Sequence, residues 1–122
     1  WSWAGTFRRS DKNIGPAWHT VPVQLRHLLD DVHYQMEHKS FSHDELVARF
    51  HHRLVLIHPF PNGNGRHARL MADLLIHQLG GNPFTWGGSS LDKASEIRTR
   101  YINALRAADK GDIVPLVLFM RS

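Results

Sequence analysis

The stretch His58-Pro59-Phe60-Pro61-Asn62-Gly63-Asn64-Gly65-Arg66-His67-Ala68-Arg69 has the pattern of one helix ending, a tight loop, and a second helix beginning. Upstream, Leu46, Val47, Phe50, Leu54 and Ile57 recur at helical spacing across residues 44–57. Pro59 ends that helix, because proline biases the residue before it away from the helical region. Gly63 and Gly65 flank Asn64 and open backbone conformations closed to other residues. Leu70, Met71, Leu74, Leu75 and Leu79 then carry a second helix over residues 64–79.

A loop of this kind turns its backbone N–H groups toward one point. They form an anion nest, reinforced by the positive end of the following helix. Arg66 and Arg69 are three apart and project from one side of the first turn. Their planar guanidinium groups match phosphate oxygens. His58 faces the same loop, and imidazole is the side chain best suited to proton transfer near neutral pH. Together these residues form a phosphate cradle with a general base at its rim. Each piece alone also has an ordinary meaning: a helix stop, a polar turn, a solvated basic face.

The combination resembles the signature of the Fic (Fic/Doc) family, H-P-F-x-[Asp/Glu]-G-N-G-R-x-x-R. The chain matches at His58, Pro59, Phe60, Gly63, Asn64, Gly65, Arg66 and Arg69, and departs at Asn62, where the family usually carries an acid. The motif is long and specific, and the resemblance extends over nearly the whole chain. It implies transfer of a nucleoside monophosphate, most often AMP from ATP, to a Ser, Thr or Tyr hydroxyl of a target protein. On that analogy His58 is the catalytic base. Gly63, Asn64, Gly65, Arg66 and Arg69 bind the phosphates, and Tyr101 and Asp109 flank the base. The cofactor implied is Mg2+ with ATP or another nucleoside triphosphate. Asn62, a neutral amide in place of a carboxylate, would be a weak ligand, leaving magnesium to be held mainly by the phosphates. The alternatives are another phosphate-containing donor, or a non-catalytic nucleotide- or protein-binding module on the same scaffold.

The 122 residues suffice for one domain with a real core, and 1–122 is expected to be a single Fic-like unit. With 42% hydrophobic residues and helical stripes it is expected to be globular and soluble, and no apolar run reaches membrane-spanning length. The net charge of +4 favours anionic ligands. No basic helix is clustered enough to favour nucleic acid. Absence of cysteine removes disulfides and thiolate zinc sites. The chain opens on Trp1, as expected of a piece of a longer protein, and a cytoplasmic location is the expectation.

Trp1 and Trp3 are expected to anchor on the helical core. Residues 7–20 are polar and turn-rich, equally compatible with a strand pair or a connecting loop. Ala4-Gly5-Thr6-Phe7-Arg8 looks like the family stretch that precedes a β-hairpin flap. The resemblance therefore implies a short hairpin in which Phe7, Arg8, Arg9, Ser10, Asp11 and Lys12 dock an extended target by strand addition.

The remainder is mainly α. Residues 21–39 form a helix with Pro22 in its first turn and Val21, Leu25, Leu28, Leu29, Val32 and Met36 inward. Ser42 and Glu45 form a capping box. His51 and His52, being adjacent, point to different faces and do not converge on a metal. The helix at 64–79 is apolar nearly all round and should be the buried central one. Phe84 and Trp86 either wall a pocket or pack under a loop. A helix at 90–109 and a short final one capped by Asp112 complete the bundle. The inhibitory Ser/Thr-x-x-x-Glu-Gly motif of many relatives is not found, so either flanking segments or a separate partner supply restraint, or the domain is unrestrained.

Overall fold

The computed structural model describes residues 6–11, 15–89 and 91–122. Trp1, Trp3 and Lys12 lie outside these. Five α-helices follow a 3-10 turn at Trp18–Thr20: α1 Val21–Glu37, α2 His43–Ile57, α3 Asn64–Gln78, α4 Ala94–Asp109 and α5 Val114–Arg121. Among the described residues there is no strand, so the expected β-hairpin at 7–20 is not found in them. In its place, residues 6–11 run as irregular chain along the end of α2. The Trp18 N–H donates to Asp11 Oδ1 at 2.8 Å, which folds residues 15–20 into a turn rather than a strand.

The helix at the centre is α2. It buries Leu46, Val47, Ala48, Phe50, His51, Leu54 and Ile57, and α1, α3 and α5 pack around it while α4 lies on α5. The expectation that α3 would be the buried helix is corrected: Leu70 and Leu74 are 56% and 53% exposed. Its inward face is built from Ala68, Ala72 and Ile76, and the two alanines let α3 approach α2 closely. Leu29, expected inward on α1, is likewise exposed, since Val21, Leu28 and Val32 define the buried face.

Local signals set the helix ends. The Glu45 N–H donates to Ser42 Oγ at 3.2 Å, but the Glu45 carboxylate takes Arg49 instead of reaching back, so half of the capping box forms. Lys39 adopts a left-handed φ of 50°, and α1 stops two residues short of the expected position. Gly80, at φ 78°, closes α3 as its N–H donates to the His77 carbonyl. The fourth helix starts at Ala94 rather than at 90, and the Val114 N–H donates to Asp112 Oδ1 at 3.2 Å to start α5.

The tightest long-range tie is Arg8. It is 1% exposed, and its backbone N–H donates to the Pro59 carbonyl at 2.8 Å. Its guanidinium donates to the carbonyls of His58 at 2.6 Å, Ile57 at 3.2 Å and Ser10 at 3.1 Å, and to that of Pro16. A cation at the carbonyl end of α2 also meets the negative end of the helix dipole. Gly15, at φ 96°, allows this approach: a Cβ there would sit 3.0 Å from Arg8 Nη2 and 3.1 Å from His58 Cβ.

His51 is the buried polar side chain of α2. Its Nε2 and the Tyr101 hydroxyl are hydrogen-bonded at 2.7 Å, and its Nδ1 meets no partner of good geometry among the described residues. Burial holds its pKa at about 4, below the ordinary 6.5.

Two outcomes follow from this packing. Arg8→Met strands several buried carbonyls and should lower stability by about 2–4 kcal/mol in urea unfolding; a loss below 1 kcal/mol would make the tie incidental. For His51 the folded pKa is depressed, so between pH 6.5 and about 4 the unfolded chain holds a proton that the folded chain does not. Its contribution is therefore complete above pH 6.5 and lost as pH falls through that window, by roughly 3 kcal/mol at the end of it. The stability difference between the parent and His51→Gln should shrink over that range; a difference constant with pH contradicts the assignment.

Candidate active site

The loop between α2 and α3 is shaped by three constraints. His58 caps α2 in the left-handed conformation, φ 51° and ψ 60°. Pro59 biases it away from the helical region, as expected. It turns left-handed, where Arg8 holds the carbonyls on both sides of the turn, those of Ile57 and Pro59, as well as His58's own. A non-glycine residue there is sparsely populated and persists where its surroundings over-determine it. Gly63, at φ 73°, is the N-cap of α3, and no side chain caps that end. The first-turn N–H groups of α3 are thus left for a ligand.

Asn64 supplies the third constraint. Its Oδ1 accepts from the Phe60 N–H and its Nδ2 donates to the Phe60 carbonyl, both at 2.8 Å. The amide was expected to face phosphate. These two bonds clamp the loop between Phe60 and the start of α3, and Asn64 still lines the cavity.

One cavity of about 590 Å³ opens on this loop. His58, Gly63, Asn64, Gly65, Arg66 and Arg69 all line it, as does Tyr101 from α4. The sequence-derived base, nest, arginines and aromatic therefore share one space. Asp109 does not belong to it: His52 Nε2 donates to Asp109 Oδ1 at 2.7 Å, tying α4 to α2. Asn62 is exposed and is not part of the cavity wall. Of the residues expected to dock a target, Arg8 is buried, while Phe7, Arg9, Ser10 and Asp11 are exposed.

The wall residues missed in sequence are mostly apolar. Val55 from α2, Ala94, Ile97, Ile102 and Leu105 from α4 and Phe119 from α5 line it, with Arg98 from α4. Phe84 and Trp86 divide the two roles foreseen for them: Phe84 is core, and Trp86 lines the cavity with its indole N–H donating to Asp73 Oδ1 at 2.9 Å. The Arg69 guanidinium carbon lies 5.9 Å from the centroid of the Tyr101 ring. Burial raises the pKa of the Tyr101 phenol, and the charge of Arg69 pulls against that rise. Beside the loop, the His67 ring meets Phe60 edge-on at 4.7 Å, and burial lowers its pKa. Among the described residues no carboxylate pairs with Arg69. Nor does any group of three His, Asp or Glu side chains converge as a metal site there.

Comparison with known proteins agrees with this geometry. Protein adenylyltransferase Fic of Drosophila virilis is 33% identical over 119 residues, spanning 95% of this chain and 23% of that protein. Protein adenylyltransferase fic-1 of Caenorhabditis briggsae is 32% identical over 120 residues, 96% of this chain and 22% of that protein. The chain thus spans about a quarter of the length of these relatives. Among solved structures, Fic-1 (residues 134–508) from C. elegans superposes with a TM-score of 0.77 at 29% identity, covering 98% of this chain and 34% of that one. A Fic domain containing signaling protein from Bacteroides thetaiotaomicron shares the fold at 0.75 and 23% identity, over 94% of this chain and 49% of that one. The Fic/DOC family profile matches residues 3–76, which include the whole of the loop and its arginines, and the chain belongs to the Fic/DOC family.

Proposed function

We propose that this chain transfers a nucleoside monophosphate, AMP in the first instance, from a nucleoside triphosphate to a Ser, Thr or Tyr hydroxyl of a target protein. The observation that carries this reading is a single cavity shared by His58, the uncapped N-terminus of α3, Arg66 and Arg69. The naming of two relatives as protein adenylyltransferases supports it. A hydroxyl is a weak nucleophile until a base takes its proton. His58 is that base: it accepts the proton as the hydroxyl oxygen bonds to the α-phosphorus and the bond to pyrophosphate breaks. N–H groups of residues 63–65 and the Arg66 guanidinium stabilise the charge that develops on the α-phosphate oxygens. Arg69 holds the outer phosphates. The apolar wall of Trp86, Ile97, Tyr101 and Ile102 receives the base. A target would enter past Phe7, Arg9 and Ser10, which are exposed beside the loop.

Relatives of this kind pair the triphosphate with magnesium. The donor set here does not fit a metal held by the protein: no Asp or Glu lines the cavity, and Asn62 stands outside it. Hard cations are held by charged oxygens, which the described cavity wall lacks. Asn62 is also the residue that favours a second reading, a phosphate-ligand or protein-binding module without catalysis.

Incubating the full chain with magnesium, each nucleoside triphosphate and cell extract, followed by peptide mass spectrometry, separates the two. A nucleoside-monophosphate adduct on a hydroxyl should form and should vanish with His58→Ala. Nucleotide binding without adduct on any protein selects the module. Asn62→Asp adds a carboxylate next to Gly63 and should sharpen the magnesium dependence of binding or transfer; superimposable magnesium titrations for the two proteins would count against that role.

A further inference from the structure

The loop between α2 and α3 holds both Asn-Gly pairs of the chain, Asn62-Gly63 and Asn64-Gly65. Asparagine amides are chemically labile, and a following glycine makes them more so. The backbone nitrogen of the next residue attacks the side-chain carbonyl carbon, and glycine has no Cβ to crowd that approach. In an unfolded chain the two pairs are nearly equivalent. The fold makes them opposite cases.

Asn64 is held in three ways. It is 6% exposed, its amide is bound at both ends by Phe60 at 2.8 Å, and it is the first residue of α3. The cyclic imide formed on amide loss fixes the asparagine in a non-helical backbone. Asn64 must therefore leave the helix and break both bonds before it reacts. Asn62 has none of these restraints. It is exposed in a bend ahead of the helix, and its side-chain amide makes no hydrogen bond among the described residues. The attacking group, the Gly63 N–H, likewise donates to no acceptor among the described residues.

We infer that Asn62 is a site of spontaneous amide loss through Gly63, by which the folded chain gains a carboxylate one residue before the uncapped end of α3. The Gly63 nitrogen bonds to Asn62 Cγ and gives up its proton, and the Cγ–Nδ2 bond breaks to release ammonia. Water then opens the five-membered imide at one of its two carbonyls. Opening at the side-chain carbonyl leaves aspartate on the original backbone, the same molecule as Asn62→Asp. Opening at the main-chain carbonyl leaves isoaspartate, with the chain routed through Cγ and one carbon longer. Either product adds a negative charge to a loop whose cavity wall carries Arg66, Arg69 and Arg98 and no Asp or Glu. A carboxylate at that place meets the positive end of α3. The isoaspartate form also lengthens the connection between the Phe60 clamp and the nest.

The full chain, incubated at mildly alkaline pH in buffer and in urea, is followed over time by peptide mass spectrometry with fragmentation that separates aspartate from isoaspartate. In the folded chain acid should accumulate at position 62, and at position 64 at least about tenfold more slowly, because the latter reacts only through local opening. In urea the two rates should converge. Asn62→Gln, whose longer side chain closes a six-membered ring far more slowly, should remove the acidic species from the folded chain. Equal rates at 62 and 64 in the folded chain, or an intact Asn62 under conditions in which the unfolded chain reacts, overturns the inference. A ratio in urea equal to that of the folded chain traces the preference to local sequence and overturns the structural argument as well.

Discussion

The last turn of α2 leaves carbonyl groups with no partner inside the helix, and Arg8 satisfies them from a segment 49 and 50 residues away in sequence. Its guanidinium has no carboxylate to pair with among the described residues. Helix carbonyls and loop carbonyls together supply the negative charge density that makes its burial tolerable. The same contacts hold His58 left-handed and Pro59 in place, and Gly15 stays small so that the guanidinium fits. The placement of His58 at the cavity is therefore a consequence of how one helix end is satisfied. Asn64 completes the frame from the other side by closing on Phe60.

Around that frame the cavity divides its labour by chemistry. Cations and backbone donors gather at the α2–α3 loop, and aromatic and aliphatic side chains gather toward α4, α5 and Trp86. Such a gradient suits a ligand with one charged end and one flat, apolar end. Tyr101 stands at the boundary, tied to the core by His51 and facing Arg69.

What sequence could convey depended on range. The cap of α2 by Ser42, the stop at Pro59, the proline in the first turn of α1 and the cap of α5 by Asp112 are each decided within a few residues, and each was legible. The buried face of α3 was not, because counting leucines hides the fact that alanines permit closer helix approach and win the interior. The polar composition of 7–20 did not distinguish a hairpin from chain pinned by Arg8, since its fixing partners lie beyond residue 56. His51 could have been found: it lies four residues after Val47 and three before Leu54, on the buried face of α2. The bond of Asn64 to Phe60 is the local backbone-capturing habit of asparagine, and that habit weighed against assigning its amide to a ligand.

The distance in sequence between Arg8 and His58 also bears on the order in which the site comes into being. Helices α2 and α3 can form from local contacts soon after they leave the ribosome, whereas a contact spanning 50 residues must first overcome loop-closure entropy. Until the early segment folds back, the carbonyls at the end of α2 lack the Arg8 partner that fixes the backbone of His58. A partly unfolded chain would thus hold its helices and its arginines and still lack the fixed His58 loop. The segment around Arg8 therefore couples the geometry of the His58 loop to completion of the tertiary fold.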